Sequence, residues 1–361
     1  MGDAWASDAE RRVRAALSFE QPDRVPRYDS FWPEFTQAWR QQKNLGPEAS
    51  PEDYYGIDLT VVAADETPWP TQAQVLSRCG DEIISRDGWG RRIRALDSAK
   101  FSQTLEVALP RADLPTPDFD SPTLAERYGA FVEGIEREHP RRAVFAKTGG
   151  PFLRTSSLRG EVQWLMDLVA DEAYARELAG LVNRHLIAVG VESLRLGGDR
   201  LSGIWIYDDI GANTGPMVSP RTFERVFLPL MVEMVGAYKR AGAAFVVFHS
   251  DGNILPLVDM LVEAGVDAIQ PIEPKAGMDI VALRERYGDR LALIGGLDNA
   301  FVLPGGDRRC VADDLKRVLA AAGEGGLIVG SHSIGPDVAV DTYDYLNRLE
   351  EEWGRYPLGV T

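Results

Sequence analysis

The amino-acid sequence predicts an α/β protein whose fold is a single (β/α)8 TIM barrel, with an N-terminal helix and an excursion over the barrel mouth. From residue 143 onward, short apolar runs alternate with helical patterns, and each run is typical of a strand buried on both faces. With two earlier runs they number eight, the number at which a parallel sheet can close around a filled interior. The predicted strands cover residues 25–28, 59–63, 143–147, 203–207, 244–248, 266–270, 291–294 and 327–330.

The clearest repeating unit lies between residues 243 and 270. An apolar run ends at Phe248 and is followed by the polar cluster His249 to Asn253. Apolar residues then recur at helical spacing as far as Ala264, and Gly265 stands where a helix C-terminal glycine belongs. A second apolar run follows at once, which indicates a parallel strand–helix–strand crossover. The polar cluster is therefore expected at the carboxyl end of a barrel strand, where the active sites of such barrels lie.

Other segments of the sequence predict helices and a hairpin outside or beside the regular strand–helix alternation. Ser7 to Glu10 has the form of a capping box that begins an amphipathic N-terminal helix. Ser219 and Pro220 are typical of an N-cap and first helical position, and predict a helix over 221–240. Residues 67–142 are rich in Pro, Asp and Arg, and within them residues 82–94 predict a β-hairpin around Asp87-Gly88. We expect one domain over residues 1–361, with the segment 67–142 forming a lid over the barrel mouth.

Composition excludes several classes of protein. The chain has 361 residues, 45% of them hydrophobic, which suffices for one large domain with an insertion. Its net charge of −16 and pI near 4.8 argue against nucleic-acid or anionic-membrane partners. Cys79 and Cys310 are the only cysteines, so no disulfide framework is expected. No apolar run is long enough to span a bilayer, and we expect a soluble cytoplasmic protein.

Ionisable and polar residues recur at the ends of the predicted strands. Taken singly, each is better explained as a solvated loop or helix-cap residue, but two of only four histidines occupy equivalent positions after two strands. We therefore predict a catalytic group and a substrate-binding group at one end of the barrel. The predicted catalytic residues are Asp208, Asp209, His249 and His332, and the predicted substrate-binding residues are Lys147, Tyr207, Glu273, Asp298 and Ser331.

Three of these strand-end positions could hold a metal ion. His249, Asp251 and His332 could supply three ligands and leave a fourth position open, as a catalytic zinc requires. Alternatively, Asp251 caps the helix that begins near Ile254, and His332 only donates a hydrogen bond to substrate. The adjacent Asp208 and Asp209 could raise each other's pKa and provide a general acid, or Asp209 could brace the following loop.

Several motifs resemble those of the uroporphyrinogen decarboxylase superfamily. The segment DDIG at 208–211, continued by TGPMVSP at 214–220, is similar to its DD-x-G…GP-x-x-SP signature. Further similar segments stand in order along nearly the whole chain, and the resemblance implies a TIM barrel and a homodimer. They are PDRVP at 22–26, HSDGN at 249–253, GGLD at 295–298, SH at 331–332 and PDV at 336–338.

The resemblance implies two kinds of reaction. The haem-pathway decarboxylases carry an arginine-rich, MRQAGR-like run that binds a polycarboxylate porphyrinogen. The equivalent residues 25–32 here contain a single arginine, Arg27, and one aspartate. The methyltransferases of the superfamily bind zinc through a His-x-Cys pair and a later Cys. His249 matches their histidine, but Asp251 stands at the cysteine position and Ser331 or His332 near the second one. The missing thiolates put thiol activation in doubt and leave a site of nitrogen and oxygen ligands.

We therefore expect a methyltransferase-like enzyme that takes a methyl group from a small O- or N-methylated substrate. The expected acceptor is a corrinoid on a separate protein, and the expected metal is zinc. The alternative is a lyase that decarboxylates a small carboxylic acid without a metal, with Asp209 or His332 as the acid. A third reading is a non-catalytic binding protein with a tetrapyrrole-sized mouth, which the clustered ionisable residues disfavour.

Overall fold

The computed structural model describes residues 7–96, 102–109 and 118–358. Its central element is a sheet of seven parallel strands, in the order β1-β6-β7-β10-β11-β12-β13. The numbering follows the chain, and a skipped number belongs to a smaller sheet described below. The seven strands are β1 Leu59–Ala63, β6 Ala143–Gly149, β7 Gly203–Tyr207, β10 Phe245–His249, β11 Ala268–Ile272, β12 Ala292–Gly296 and β13 Leu327–Gly330.

Residues 26–28 connect the two edges of this sheet. Tyr28 N–H donates to Val329 O at 2.9 Å, and Val329 N–H donates back to Pro26 O at 2.9 Å. On the other side, Asp58 N–H donates to Arg27 O at 3.0 Å, directly before β1. The segment thus occupies the position of an eighth strand and closes the sheet. The prediction of a TIM-barrel fold is confirmed.

The barrel interior is packed rather than hollow. Alternate residues of each strand point inward, and they form one buried cluster that includes Phe145, Trp205 and Val247. The N-terminal helix α1 (Asp8–Leu17), whose N-cap is Ser7 as predicted, adds Val13, Ala16 and Leu17 to the same cluster. Helix α1 contacts residues that precede strands: Gly326 N–H donates to Ala16 O at 2.7 Å. It therefore covers the amino end of the barrel and leaves the carboxyl end for the mouth.

A second and larger cluster fills the space between the strands and the surrounding helices. Ser219 accepts a hydrogen bond from Thr222 N–H and caps α8, which continues through a π-helical turn at Phe223–Phe227 into α9, as predicted. No helix within the described ranges is both long enough and apolar enough to cross a bilayer. The helices after α1 are α2 Pro33–Lys43, α3 Pro51–Tyr54, α4 Gly129–Glu138, α5 Pro151–Arg159, α6 Glu161–Ala170, α7 Glu172–Gly197, α8 Pro220–Thr222, α9 Leu228–Arg240, α10 Val258–Glu263, α11 Ile280–Tyr287, α12 Val302–Gly305, α13 Arg308–Leu319 and α14 Val340–Trp353.

The segment 67–142, expected to form an excursion, contains two kinds of structure. The first is an antiparallel sheet of four strands, in which β3 and β4 form the predicted hairpin. The second is α4, which packs on β1 of the barrel through Gly134 and Val62. The strands of the small sheets are β2 Gln74–Cys79, β3 Glu82–Arg86, β4 Arg92–Leu96 and β5 Gln103–Glu106, with β8 Gly211–Ala212 and β9 Gly215–Pro216 forming a short pair near the mouth.

Candidate functional site

The floor of the barrel mouth follows from strand alternation. Because Phe145, Trp205, Val247 and Ala268 point into the interior, the residues two positions later on the same strands point inward one layer higher. Tyr207 pairs in register with His249, and His249 pairs with Gln270. This upper layer is thus polar where the layers below it are apolar. It consists of Lys147, Tyr207, His249 and Gln270.

His249 is a buried and neutral imidazole. Its side chain is 3% exposed, and its ring stacks on Tyr207 with the ring centres 3.7 Å apart. Burial lowers the pKa of His249 to about 3. The ring nitrogen Nδ1 faces the amide oxygen of Gln270. Nδ1 therefore carries the proton and donates a hydrogen bond to that oxygen. The lone pair of Nε2 is therefore free, and Nε2 has no hydrogen-bond partner among the described residues.

Two carboxylates and a second histidine surround this lone pair. Nε2 of His249 lies 3.5 Å from Oδ1 of Asp209 and 3.5 Å from Oδ1 of Asp251. His332 brings its own Nε2 to 3.2 Å from Oδ1 of Asp251. We call His249, Asp251 and His332 the His–Asp–His cluster, and one potential ligand atom from each lies within 4.8 Å of the others. Oδ1 of Asp251 is buried and lacks a hydrogen-bond partner among the described residues.

The electrostatics of the cluster favour a bound cation. Burial raises the pKa of Asp251 to about 6, and burial also raises the pKa of Asp209. A bare imidazole lone pair that faces carboxylate oxygens is unfavourable unless a proton or a metal ion lies among them. Two imidazole nitrogens and one carboxylate oxygen are ligands that zinc accepts, and three of them leave a coordination position open. The residues present therefore fit a zinc ion.

The two adjacent aspartates contact different parts of the protein. Asp209 accepts a hydrogen bond from Asp251 N–H at 3.1 Å and borders the cluster. Asp208 is fully buried and accepts from Leu153 N–H at 2.7 Å and from Phe152 N–H at 3.2 Å, in the first turn of α5. Burial raises the pKa of Asp208 to about 7. Only Asp209 of the predicted pair is thus brought to the cluster.

Glu273 lies at the edge of the cluster. Its Oε1 is 4.0 Å from Nδ1 of His332 and 3.0 Å from Nζ of Lys275, and its Oε2 accepts from Gly252 N–H at 2.6 Å. Asp251 does not cap the helical turn that follows it: Ile254 is its N-cap, without a side-chain hydrogen bond, and the nearby Oδ1 of Asn253 accepts from Leu255 N–H at 3.0 Å. The side chain of Asp251 is therefore available to the cluster.

Asp298 and Ser331 have other partners. Oδ1 of Asp298 accepts from Ala300 N–H and Phe301 N–H, both at 2.8 Å, within its own turn. Ser331 donates its hydroxyl to Asp29 at 2.7 Å, and that buried carboxylate also accepts from Tyr343. Within the described residues, neither Asp298 nor Ser331 forms a hydrogen bond or ion pair with the His–Asp–His cluster.

A cavity of about 230 Å³ opens beside Lys147. We call it the Lys147 pocket; Glu66, Trp89, Lys147 and Arg154 form its walls together with Ala63, Ala64, Asp65 and Thr67. Sequence reasoning gave no site role to Gln270, Glu66, Trp89 or Arg154. The alternation of β11 could have identified Gln270, because Ala268 points inward. Glu66 and Trp89 lie outside the helices and strands, where no periodic signal fixes the direction of a side chain, and Arg154 lies on α5.

One solved structure shares the fold of this chain over nearly its whole length. The chain is similar to a methyltransferase from Methanosarcina mazei, with 16% sequence identity, a TM-score of 0.72, and coverage of 95% of this chain and 98% of that chain. It also matches a B12-independent methionine synthase from a Shewanella species, with 12% identity, a TM-score of 0.45, and coverage of 93% and 94%. No curated protein sequence matches the chain significantly.

The family assignment comes from the sequence itself. The sequence model of the family described as "Uroporphyrinogen decarboxylase (URO-D)" matches residues 111–353. The match covers about two thirds of the chain and includes Lys147, the DDIG segment and the whole His–Asp–His cluster. The chain therefore belongs to the uroporphyrinogen decarboxylase family.

Proposed function

We propose that this chain is a metal-dependent methyltransferase that removes a methyl group from a small O- or N-methylated compound and passes it to a corrinoid on a separate protein. The observation that carries the proposal is the free lone pair of His249 Nε2, which faces Asp251 beside His332. Family membership and the shared fold of the Methanosarcina methyltransferase support the reaction class.

The residues of the cluster have separable tasks. Oε1 of Gln270 accepts a hydrogen bond from His249 Nδ1–H and so fixes the tautomer in which Nε2 can be a ligand. His249, Asp251 and His332 would hold the ion, which when bound supplies a Lewis acid that withdraws electrons from an oxygen, or from a nitrogen that retains its lone pair, bearing the methyl group. Both histidines favour the neutral, ligating form, because burial lowers the pKa of each.

The role proposed for Asp209 is to donate a proton to the oxygen that loses its methyl group. An O-methyl donor that loses its methyl group leaves an alkoxide or phenolate oxygen, which then needs a proton. Burial raises the pKa of Asp209, so this carboxyl group holds its proton more tightly than an exposed aspartate and can deliver it to that oxygen. A quaternary ammonium compound that loses a methyl group becomes a neutral amine, and this product needs no proton. Asp209→Asn should therefore slow O-demethylation far more than removal of methyl from a quaternary amine.

The test joins metal content to methyl transfer. The purified protein should hold about one zinc ion per chain and convert added cob(I)alamin to methylcobalamin, followed by absorbance, with a methoxylated or N-methylated donor. His249→Ala should lose metal and activity together, because two ligands leave the ion under-coordinated. His139→Ala is the matched control, since His139 faces Glu10 at the amino end and should retain both. Full zinc retention by His249→Ala would exclude His249 as a ligand.

A carboxy-lyase is the second candidate. This reaction is favoured by the cationic cavity beside Lys147, which could hold the carboxylate of a small acid. Asp209, whose pKa is raised, could then protonate the carbon that has lost carbon dioxide. A metal-free protein that releases carbon dioxide from a small acid, and transfers no methyl group, would select this reaction over the first.

A further inference from the structure

We propose that the Lys147 pocket binds a carboxylate group of the substrate, so that the methyl donor is a small organic acid rather than a neutral or cationic compound. The proposal rests on the proposed function only for the identity of the methyl donor. The binding of a carboxylate follows from the pocket itself and can be measured without turnover.

Lys147 is a half-buried cation without a carboxylate partner. Its Nζ lies 3.9 Å from the ring centre of Tyr207 and forms no ion pair with any residue that the structure describes. Burial and the charge of Arg154 lower the pKa of Lys147, and the negative charges of Glu66 and Asp209 oppose this shift without reversing it. A charge of this kind normally has a partner, and a bound anion would supply it.

Arg154 adds a second donor on the same wall. One of its Nη atoms pairs with Oε1 of Glu66 at 2.5 Å, while its Nε is buried without a hydrogen-bond partner among the described residues. Gly149 allows this placement, because a Cβ atom at that position would lie 2.2 Å from Nε. The guanidinium group of Arg154 and the ammonium group of Lys147 are the cationic groups that line the pocket, and groups of this kind form charge-assisted hydrogen bonds with a carboxylate.

The acidic residues of the pocket are already engaged. Glu66 accepts from Gly149 N–H and Thr148 hydroxyl in addition to its pairing with Arg154. Asp65 is exposed, and its Oδ1 accepts from both the N–H and the hydroxyl of Thr67. Neither carboxylate contacts Lys147, so the ammonium charge remains available to a ligand.

Trp89, Ala63 and Ala64 form the apolar part of the pocket wall and leave room for a ring. Trp89 of the excursion lies over Arg154, with the guanidinium carbon 5.3 Å from the indole ring centre. Ala63, the register partner of Lys147, ends β1 and lines the pocket with a small side chain, so that a larger residue there would fill part of the cavity. The pocket thus suits a flat acid whose ring contacts Trp89 and whose carboxylate meets the two cations.

Tyr207 places this pocket beside the His–Asp–His cluster. The imidazole of His249 stacks on the ring of Tyr207 at 3.7 Å, so Nζ of Lys147, at 3.9 Å from the same ring centre, must lie on the opposite face. One aromatic ring therefore separates the cationic donors from His249. A small acid anchored at Lys147 could extend past the edge of Tyr207 and present a methoxy or N-methyl group to the cluster.

The test uses benzoate as the probe and benzamide, its neutral analogue of the same shape, as the comparison. Calorimetric titration of the full-length protein should give tighter binding of benzoate by about ten- to a hundredfold, as expected for one or two charge-assisted hydrogen bonds. Lys147→Met should remove most of that preference and leave benzamide binding within about twofold. Lys239→Met, which removes an exposed charge paired with Asp267 away from the mouth, is the control and should leave both affinities unchanged.

Ala63→Leu provides a second, charge-neutral variant. It should weaken benzoate and benzamide alike, because the added side chain fills the pocket. Equal affinities of the wild type for the two probes, or no benzoate binding, would overturn the proposal, as would a full benzoate preference in Lys147→Met. These measurements need no methyl acceptor, so a protein that binds benzoate but transfers no methyl group would refute the methyltransferase reaction and leave the carboxylate site standing.

Discussion

At the scale of single residues, Asp208 and Asp209 illustrate how two adjacent carboxyl groups acquire different properties. Asp208 accepts two backbone N–H groups at the start of α5, while Asp209 borders the His–Asp–His cluster. Hydrogen bonds and the helix N-terminus favour the charged form of Asp208. Complete burial opposes them and has the larger effect, so the pKa rises to about 7. The folded protein therefore binds a proton at Asp208 more tightly than the unfolded chain does.

This difference predicts how stability depends on pH. A raised pKa in the folded state gives a stabilising contribution that is complete below the unfolded value of 3.8 and lost as pH rises through about 7. Asp208→Asn cannot titrate, so between pH 5 and pH 8 it should lose less stability than the wild type, by roughly 2–3 kcal/mol. Urea unfolding at both pH values measures the effect.

Asp307 offers the matched control for that experiment. It caps α13 through Arg309 N–H and Cys310 N–H on the exposed surface, and these hydrogen bonds lower its pKa. Asp307 is thus ionised in the folded and unfolded chains throughout the interval, so Asp307→Asn should change stability equally at pH 5 and pH 8. Parallel behaviour of the two variants would contradict the raised pKa of Asp208.

Strand ends located the cluster residues from the sequence, but they did not reveal the direction of every side chain. His249 was predicted to follow a strand; it ends β10 in the inward alternation of that strand, which accounts for its height in the barrel and its orientation. Asp298 and Ser331 follow their strands after glycine residues, and each side chain finds partners in its own loop or in a neighbouring segment. Their substrate contacts remain a prediction. Loop hydrogen bonds of this kind depend on neighbours that are remote in the sequence.

At the scale of secondary structure, α1 contributes to the barrel core although it precedes every strand. Leu17 is 4% exposed and packs with Val13 and Ala16 against the inward residues of the strands. Leu17→Ala should therefore lower the free energy of unfolding by about 2–5 kcal/mol, the usual cost of a buried cavity. Val232→Ala, at a position 48% exposed on α9, should change it by less than about 0.5 kcal/mol.

The location of α1 at the amino end of the barrel predicts that Leu17→Ala changes stability without changing metal binding. Because the helix covers the amino end, folded Leu17→Ala protein should keep the zinc content of the wild type, while chemical denaturation shows the loss of stability. Loss of metal from the folded variant would indicate that the two ends of the barrel are coupled, against the separation that the structure implies.

Most elements of the barrel were predictable because periodicity reports burial directly. Helix α4 was not predicted, and its sequence contains glycine at 129 and 134, which weakens the helical signal. Gly134 has a tertiary reason: a Cβ atom there would lie 3.1 Å from Cγ1 of Val62 on β1. Close contact between a helix and the sheet thus selected a residue that local propensity disfavours.

At the scale of the whole molecule, the distribution of arginine limits the substrates that the mouth can accept. The chain carries a net charge of −16, and many of the arginines that the structure describes pair with acidic residues. Arg24 binds Asp58, and Arg27 donates to Tyr55 O and Asn347 beneath the mouth. The arginines of the excursion sheet are paired as well: Arg91 with Asp87, Arg92 with Glu106 and Arg94 with Glu82.

This arrangement predicts that the protein does not decarboxylate uroporphyrinogen, although it belongs to the family named for that reaction. Eight carboxylates need several fixed cations, and among the described residues the mouth offers Lys147, Arg154 and the already paired Lys275. Each missing charge-assisted hydrogen bond costs roughly 1.5–3 kcal/mol, or about tenfold in affinity per 1.4 kcal/mol. Anaerobic incubation with uroporphyrinogen, followed by chromatography, should show no coproporphyrinogen. Turnover at an ordinary enzymatic rate would mean that the excursion brings its arginines to the mouth, and would refute both the methyltransferase proposal and the small-acid specificity of the Lys147 pocket.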